Sequence, residues 1–153
     1  DNFWEEQRCP YVNAIIFSDD MIEPFKVMVD WNAPMQYDFS KEPATTIKAV
    51  AQQGELHWYP CYINVTVEDK ECKLEACAGE SSMGGDGFVA VRNIETKKVL
   101  WLAFFDCSNP FEKLVIKDGE IHASSTLNCV WKFNIHHPLG VSVSWLGPVH
   151  SKS

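Results

Sequence analysis

No stretch of this sequence approaches the roughly 18 consecutive apolar residues that a membrane-spanning helix needs, and the longest apolar run, Val99 to Phe105, is only strand length. Cations are scarce as well. Lysine and arginine total 13 against 21 aspartates and glutamates, a net charge of -8. That balance argues against nucleic acid, whose affinity rests on cations neutralising phosphates. It also disfavours an anionic membrane surface; a basic partner would be steered toward it, although an acidic balance is common in soluble proteins for solubility alone. The common catalytic signatures are missing: no Gly-x-Ser-x-Gly elbow, no Ser-x-x-Lys and no His-Glu-x-x-His. No Cys-x-x-Cys points to zinc or a redox dithiol, although His57, Cys61, Cys72 and Cys77 can be grouped on paper as a zinc set. Gly84-Gly85-Asp86-Gly87 runs into the strand-like Phe88-Val89-Ala90-Val91 instead of opening a helix, as a phosphate loop would. No catalytic residue, metal or cofactor is assigned on these grounds.

What is present is a chain of 153 residues that is 46% hydrophobic and 22% charged, the composition of a folded globular protein, read as one domain over 1–153. It carries six cysteines and six tryptophans. An even cysteine count without metal spacing reads as up to three disulfides in an oxidising compartment. A periplasmic or secreted protein, its export signal removed, is therefore expected. Spacing alone leaves roughly 15 pairings open. Cys72 with Cys77 and Cys107 with Cys129 are preferred, the second because the intervening hairpin brings those strand ends together, which leaves Cys9 with Cys61.

Period-two alternation dominates and predicts a mainly β (α+β) fold: an antiparallel meander or curled sheet with one short helix over about 43–53, disulfide-stabilised. Phe25, Val27, Val29 and Trp31 share one strand face, as do Ile63, Val65 and Val67. Strands are further expected at Tyr11 to Phe17, Gly87 to Arg92, Lys98 to Asp106, Cys129 to Ile135 and Val141 to Trp145. Asp118-Gly119 between two strand-like runs predicts a type I′ hairpin. Ala44, Ile47, Val50 and Ala51 at helical spacing, with Pro43 before and Gly54 after, predict the helix. Trp31 to Ser40 reads as a loop, and helical turns are expected at Asn2 to Arg8 and Ser108 to Phe111. Trp31, Trp101, Trp131 and Trp145 fall within strand patterns and read as core; Trp4 and Trp58 do not. Asn64-Val65-Thr66 is a glycosylation sequon.

The segment Cys72-Lys73-Leu74-Glu75-Ala76-Cys77 stands between strands, where a bridge five residues long would stiffen a loop for binding. This hexapeptide ahead of a β-meander resembles the protruding loop of the Ivy-type periplasmic lysozyme inhibitors of bacteria. The resemblance implies a disulfide-held loop that inserts into an enzyme cleft. The family loop carries a central histidine, whereas this one offers Leu74, Glu75 and Ala76, which implies a different target or contact chemistry. The resulting expectation is a binding protein that occludes an enzyme's active site: an immunity protein against a bacterial toxin, or a lysozyme-type inhibitor. Its partner would be a protein, an enzyme or toxin with a basic or open cleft, met by Glu75, Leu74, Trp58, Gly85 and Asp86. The alternatives are a carbohydrate- or small-ligand-binding β module using exposed aromatic rings, and an enzyme whose site uses His136-His137 or carboxylates.

Overall fold

The structure, a computed structural model, describes Trp4 and residues 6–148. Thirteen strands and one helix follow in chain order: β1 (Arg8–Pro10), β2 (Ala14–Phe17), β3 (Met21–Asp30), β4 (Gln36–Lys41), β5 (Thr45–Thr46), α1 (Ile47–Gln52), β6 (Trp58–Asp69), β7 (Leu74–Ser81), β8 (Gly87–Asn93), β9 (Val99–Phe105), β10 (Phe111–Lys117), β11 (Glu120–Ser125), β12 (Cys129–Asn134) and β13 (Ser142–Trp145). Eight of the first nine form one open antiparallel sheet in the order β1-β6-β7-β8-β9-β2-β3-β4, with β5 paired to β3. The last four form a second, a plain meander. The mainly β, antiparallel expectation with one short helix is met.

Alternation along the central strands sorts side chains into two layers. Val89 and Val91 of β8, Trp101, Ala103 and Phe105 of β9, and Ile15 of β2 face the four-stranded sheet and meet Ile121, Trp131 and Phe133 there. On the other face, Cys77, Phe88, Ala90, Leu102 and Phe104 pack with Trp4, Cys9 and Cys61. Strands covered on both faces read as continuous apolar runs, and Val99–Phe105 does so. Its one exposed residue, Leu100, sits where the β8–β9 register shifts. That bulge lets Val99 and Trp101, two residues apart, face opposite layers.

The Asp118-Gly119 turn has positive φ at both residues (52° and 77°), as a type I′ hairpin requires. The helix starts later than expected. Thr45 and Thr46 pair with Ile22 and Met21 of β3, so α1 begins at Ile47, capped by the Thr46 hydroxyl accepting from Ala49 N–H at 3.0 Å. Gly54, at φ 72°, ends it. Ile47 and Val50 cover Ala14, Ile16 and Ile22.

Trp31 to Ser40 is not a loop throughout, since β4 occupies Gln36–Lys41 and alternates Tyr37 and Phe39 inward. Residues 108–110 form no helical turn and lead into β10. Of the N-terminal turn expected at Asn2 to Arg8, residues 2, 3 and 5 lie outside the described residues, and Arg8 already belongs to β1. Trp101 and Trp131 are core and Trp145 packs against it, but Trp31 is 60% exposed while Trp4 is buried. The Asn64 amide nitrogen, which a sequon would glycosylate, donates to Phe111 O (3.1 Å) and Glu80 Oε2 (3.0 Å), tying β6 to β10.

No two cysteines stand at disulfide bonding distance, and all six are free thiols in this structure. Cys72 lies exposed in the β6–β7 turn, while Cys77 is already inside β7 with its thiol turned into the core. Cys107 is half-buried in the β9–β10 connection, and Cys129 opens β12 with its thiol donating to Leu127 O at 3.8 Å.

Candidate partner-binding surface

Strand direction divides the loops between two ends of the molecule. β2 starts opposite the end of β9 (Ala14 with Phe104), so β3 returns to that same end and continues past it to Asp30. β7 finishes and β8 begins there, and the Asn109 N–H donates to Gly85 O at 3.1 Å, joining the β7–β8 and β9–β10 loops. Phe111, first in β10, packs beside Gly87, first in β8, which places the β11–β12 turn and the end of β13 at the same end.

Large apolar side chains exposed at this end include Trp31 (60% exposed), Met83 (55%) and Leu146 (63%), with Met28 (60%) on the overhanging part of β3. Exposed carboxylates accompany them, Asp30 at the end of β3, Asp106 after β9 and Glu112 on β10, with Lys113 next to Glu112. A shallow cleft of about 270 Å³ opens beside Leu146, between Glu112 and Asn128.

The Trp31 tip is held by its own sequence. Asp30 Oδ1 accepts from the Asn32 backbone N–H (3.0 Å) and from Asn32 Nδ2 (3.1 Å), an Asx turn that fixes the chain on leaving β3. Below it, the Tyr37 hydroxyl donates to Cys107 O at 2.8 Å, and Tyr37 and Phe39 pack edge-on against Trp131. The aromatic tip therefore stands on a hairpin rooted in the core.

The residues expected at the site separate. Trp58 (half-buried), Gly85 (exposed, φ 74°) and Asp86 lie at this end, but the Asp86 side chain is buried. Its Oδ1 accepts from Ser81 N–H at 2.7 Å and its Oδ2 from the Ser81 hydroxyl. Burial raises its carboxyl above the ordinary value, with the Ser81 hydrogen bonds pulling the other way. Asp86 braces the loop and presents no contact. Leu74 and Glu75 are at the opposite end and inside: only Cys72 and Lys73 belong to the β6–β7 turn, and from Leu74 to Cys77 the segment is the start of a central strand rather than a protruding loop.

Glu75 is 2% exposed, bonded through Oε1 to Arg92 Nε (2.5 Å) and Lys97 Nζ (2.7 Å). Burial works against its ionisation, but these two cations outweigh it and hold the carboxyl below its ordinary value. A depressed carboxyl stabilises the fold above its unfolded-state pKa, and that stability is lost as pH falls through the folded-state value. Glu75→Gln is expected to cost about 2 kcal/mol at pH 7, discounted for the half-exposed Lys97, and to converge with the parent in acid. Urea denaturation at both pH values checks this.

A second cleft, of about 560 Å³, lies at the opposite end between the β6–β7 and β10–β11 turns, lined by Glu68, Asp69, Glu71, Asp118, Cys72 and His136. The exposed Cys72 thiol there is pushed up by the Asp69 carboxylate, the reverse of what activates a nucleophilic thiolate. Among the described residues, no group of three or more His, Cys, Asp or Glu side chains is placed to hold a metal, and no helix is long and apolar enough to cross a membrane.

Strand parity hid the most exposed aromatic among the described residues. Trp31 ends an alternating run and reads as core by parity, yet the Asn-Ala-Pro that follows marks where the strand leaves the sheet. Family models and curated proteins return no match to this chain.

Proposed function

We propose that this protein is a small periplasmic or secreted binding protein that inhibits an enzyme by occluding its active site, as an immunity protein or a lysozyme-type inhibitor does, and that the Trp31 end makes the contact. The observation that carries this reading is Trp31, 60% exposed at the tip of a hairpin whose base is anchored by Tyr37 and Phe39. A large exposed aromatic is the residue type that dominates interface energetics, and the Asx turn at Asp30–Asn32 fixes the backbone that presents it, which lowers the ordering cost of docking. The acidic surroundings and the net charge of -8 favour a partner whose cleft is basic.

Trp31→Ala is expected to weaken the complex by about 30-fold or more, corresponding to a hot-spot loss of at least about 2 kcal/mol, with thermal stability unchanged. The test is capture of the partner from periplasmic or extracellular extract on immobilised protein at low salt. Assay of the captured enzyme with wild type and Trp31→Ala follows. An enzyme inhibited by both alike, or no enzyme retained, defeats the reading. A carbohydrate-binding module asks for coplanar exposed rings. Among the described residues the most exposed rings, Trp31 just past β3 and Tyr62 on β6, stand on strands with four others between them in the sheet.

A further inference from the structure

We propose that Cys9 and Cys61 are a paired dithiol that closes to a disulfide by exchange with a small disulfide such as oxidised glutathione. The pair lies at the β1–β6 edge of the nine-stranded sheet, at the same end as Trp31 but with four strands between β6 and β3.

Three buried thiols, Cys9, Cys61 and Cys77, share the layer beneath Trp4 and Phe88. Only two of them are set to react with each other. β1 pairs with β6 so that Cys9 lies opposite Tyr59, which puts Cys61, two residues on, diagonally adjacent on the same face. One cysteine pair stands at 3.2 Å, and Cys9 and Cys61 are hydrogen-bonded to each other through their side chains. An S–S bond of about 2.05 Å requires a closure of roughly 1 Å, small beside the freedom of a three-residue edge strand paired only to β6.

The two thiols are not equivalent. The Cys9 thiol is raised by burial first and then by its neighbour. Cys61 is lowered, chiefly by the hydrogen bond from Cys9, and Trp4 adds a second. One sulfur of the pair attacks one sulfur of oxidised glutathione and expels glutathione thiolate, leaving a mixed disulfide on that cysteine. The other cysteine then attacks the same protein sulfur, expelling the second glutathione thiolate. The two protons lost from the cysteines end on the two glutathiones: two protein thiols are oxidised and one glutathione disulfide is reduced.

The test refolds the full wild-type chain from its reduced, denatured form in a buffer of reduced and oxidised glutathione, then blocks free thiols and maps the peptides by mass spectrometry. The expected result is a single Cys9–Cys61 link with Cys72, Cys77, Cys107 and Cys129 blocked as free thiols. The oxidised protein should melt roughly 5–10 °C above the reduced one, a difference absent in Cys9→Ala. Free Cys9 and Cys61 under these conditions, a persistent glutathione adduct, or a link from either residue to Cys77 overturns the proposal. Because mapping uses the wild-type chain, the result is independent of whether any variant folds.

Discussion

Trp131→Ala will destabilise the protein by about 3–5 kcal/mol, the range for deleting a fully buried large aromatic. Trp131 is 0% exposed at the centre of β12, and its ring meets Tyr37 (4.9 Å between centroids), Phe39 (5.6 Å), Phe105 (4.9 Å), Phe111 (5.8 Å) and Phe133 (6.5 Å). Those partners come from β4, β9, β10 and β12, so the indole is the point at which both sheets and the β3–β4 hairpin are joined. Neighbours anchored in strands cannot collapse far into the vacated space, which keeps the cost toward the upper end. Among the described residues the buried indole Nε1 meets no hydrogen-bond partner, unlike Trp101, whose Nε1 donates to Ile135 O at 2.8 Å. Trp131→Phe therefore removes an unsatisfied donor along with volume, and it should cost only about 1–2 kcal/mol. Equilibrium urea denaturation of both variants checks the size and the order; equal costs would mean that ring packing is not what holds the layers together.

Gly79→Ala should cost about 3 kcal/mol, at the upper end of overpacking penalties, although a single methyl is added. A Cβ at this position would lie 1.8 Å from Tyr62 O, 2.9 Å from Tyr62 C and 3.1 Å from Asn64 N. All three are backbone atoms of β6, so no side chain can swing aside. The close approach arises at the bulge between Ile63 and Val65, where β6 passes an extra residue against β7. Accommodating the methyl means parting the β6–β7 ladder near Asn64, whose amide ties β6 to β10. Gly85→Ala is the contrast: a Cβ there meets nothing within 4 Å, and its cost is only the strain of a left-handed backbone, about 1 kcal/mol. Thermal denaturation of the two variants separates packing from conformational strain.

The parts of the fold that the sequence revealed are those where local rules and tertiary demand agree. Val99–Phe105 could be read as doubly covered because burial on both faces erases alternation, and Asp118-Gly119 because only a few residues accept positive φ at two successive positions. β4 was not readable, since its Gln-Tyr-Asp-Phe alternation sits in a Pro- and Asn-rich context, and its strand character comes from pairing with β3 and from Trp131. Glu75 misled for a similar reason. A lone acid between small residues looks like a surface contact until Arg92 and Lys97, distant in sequence, arrive across the neighbouring strand and turn. The cysteines at 72 and 77 suggested a closed loop, but β7 starts at Leu74, and strand geometry outranks proximity in sequence.

The central question is which end of the molecule meets the partner. The most direct measurement is titration of the captured enzyme with wild type, Trp31→Ala and His137→Ala, the last an exposed residue in the β12–β13 connection at the far end. The prediction is a Kd raised about 30-fold or more by Trp31→Ala and unchanged by His137→Ala. Equal affinity for all three, or loss only with His137→Ala, would contradict it and move the contact to the opposite end.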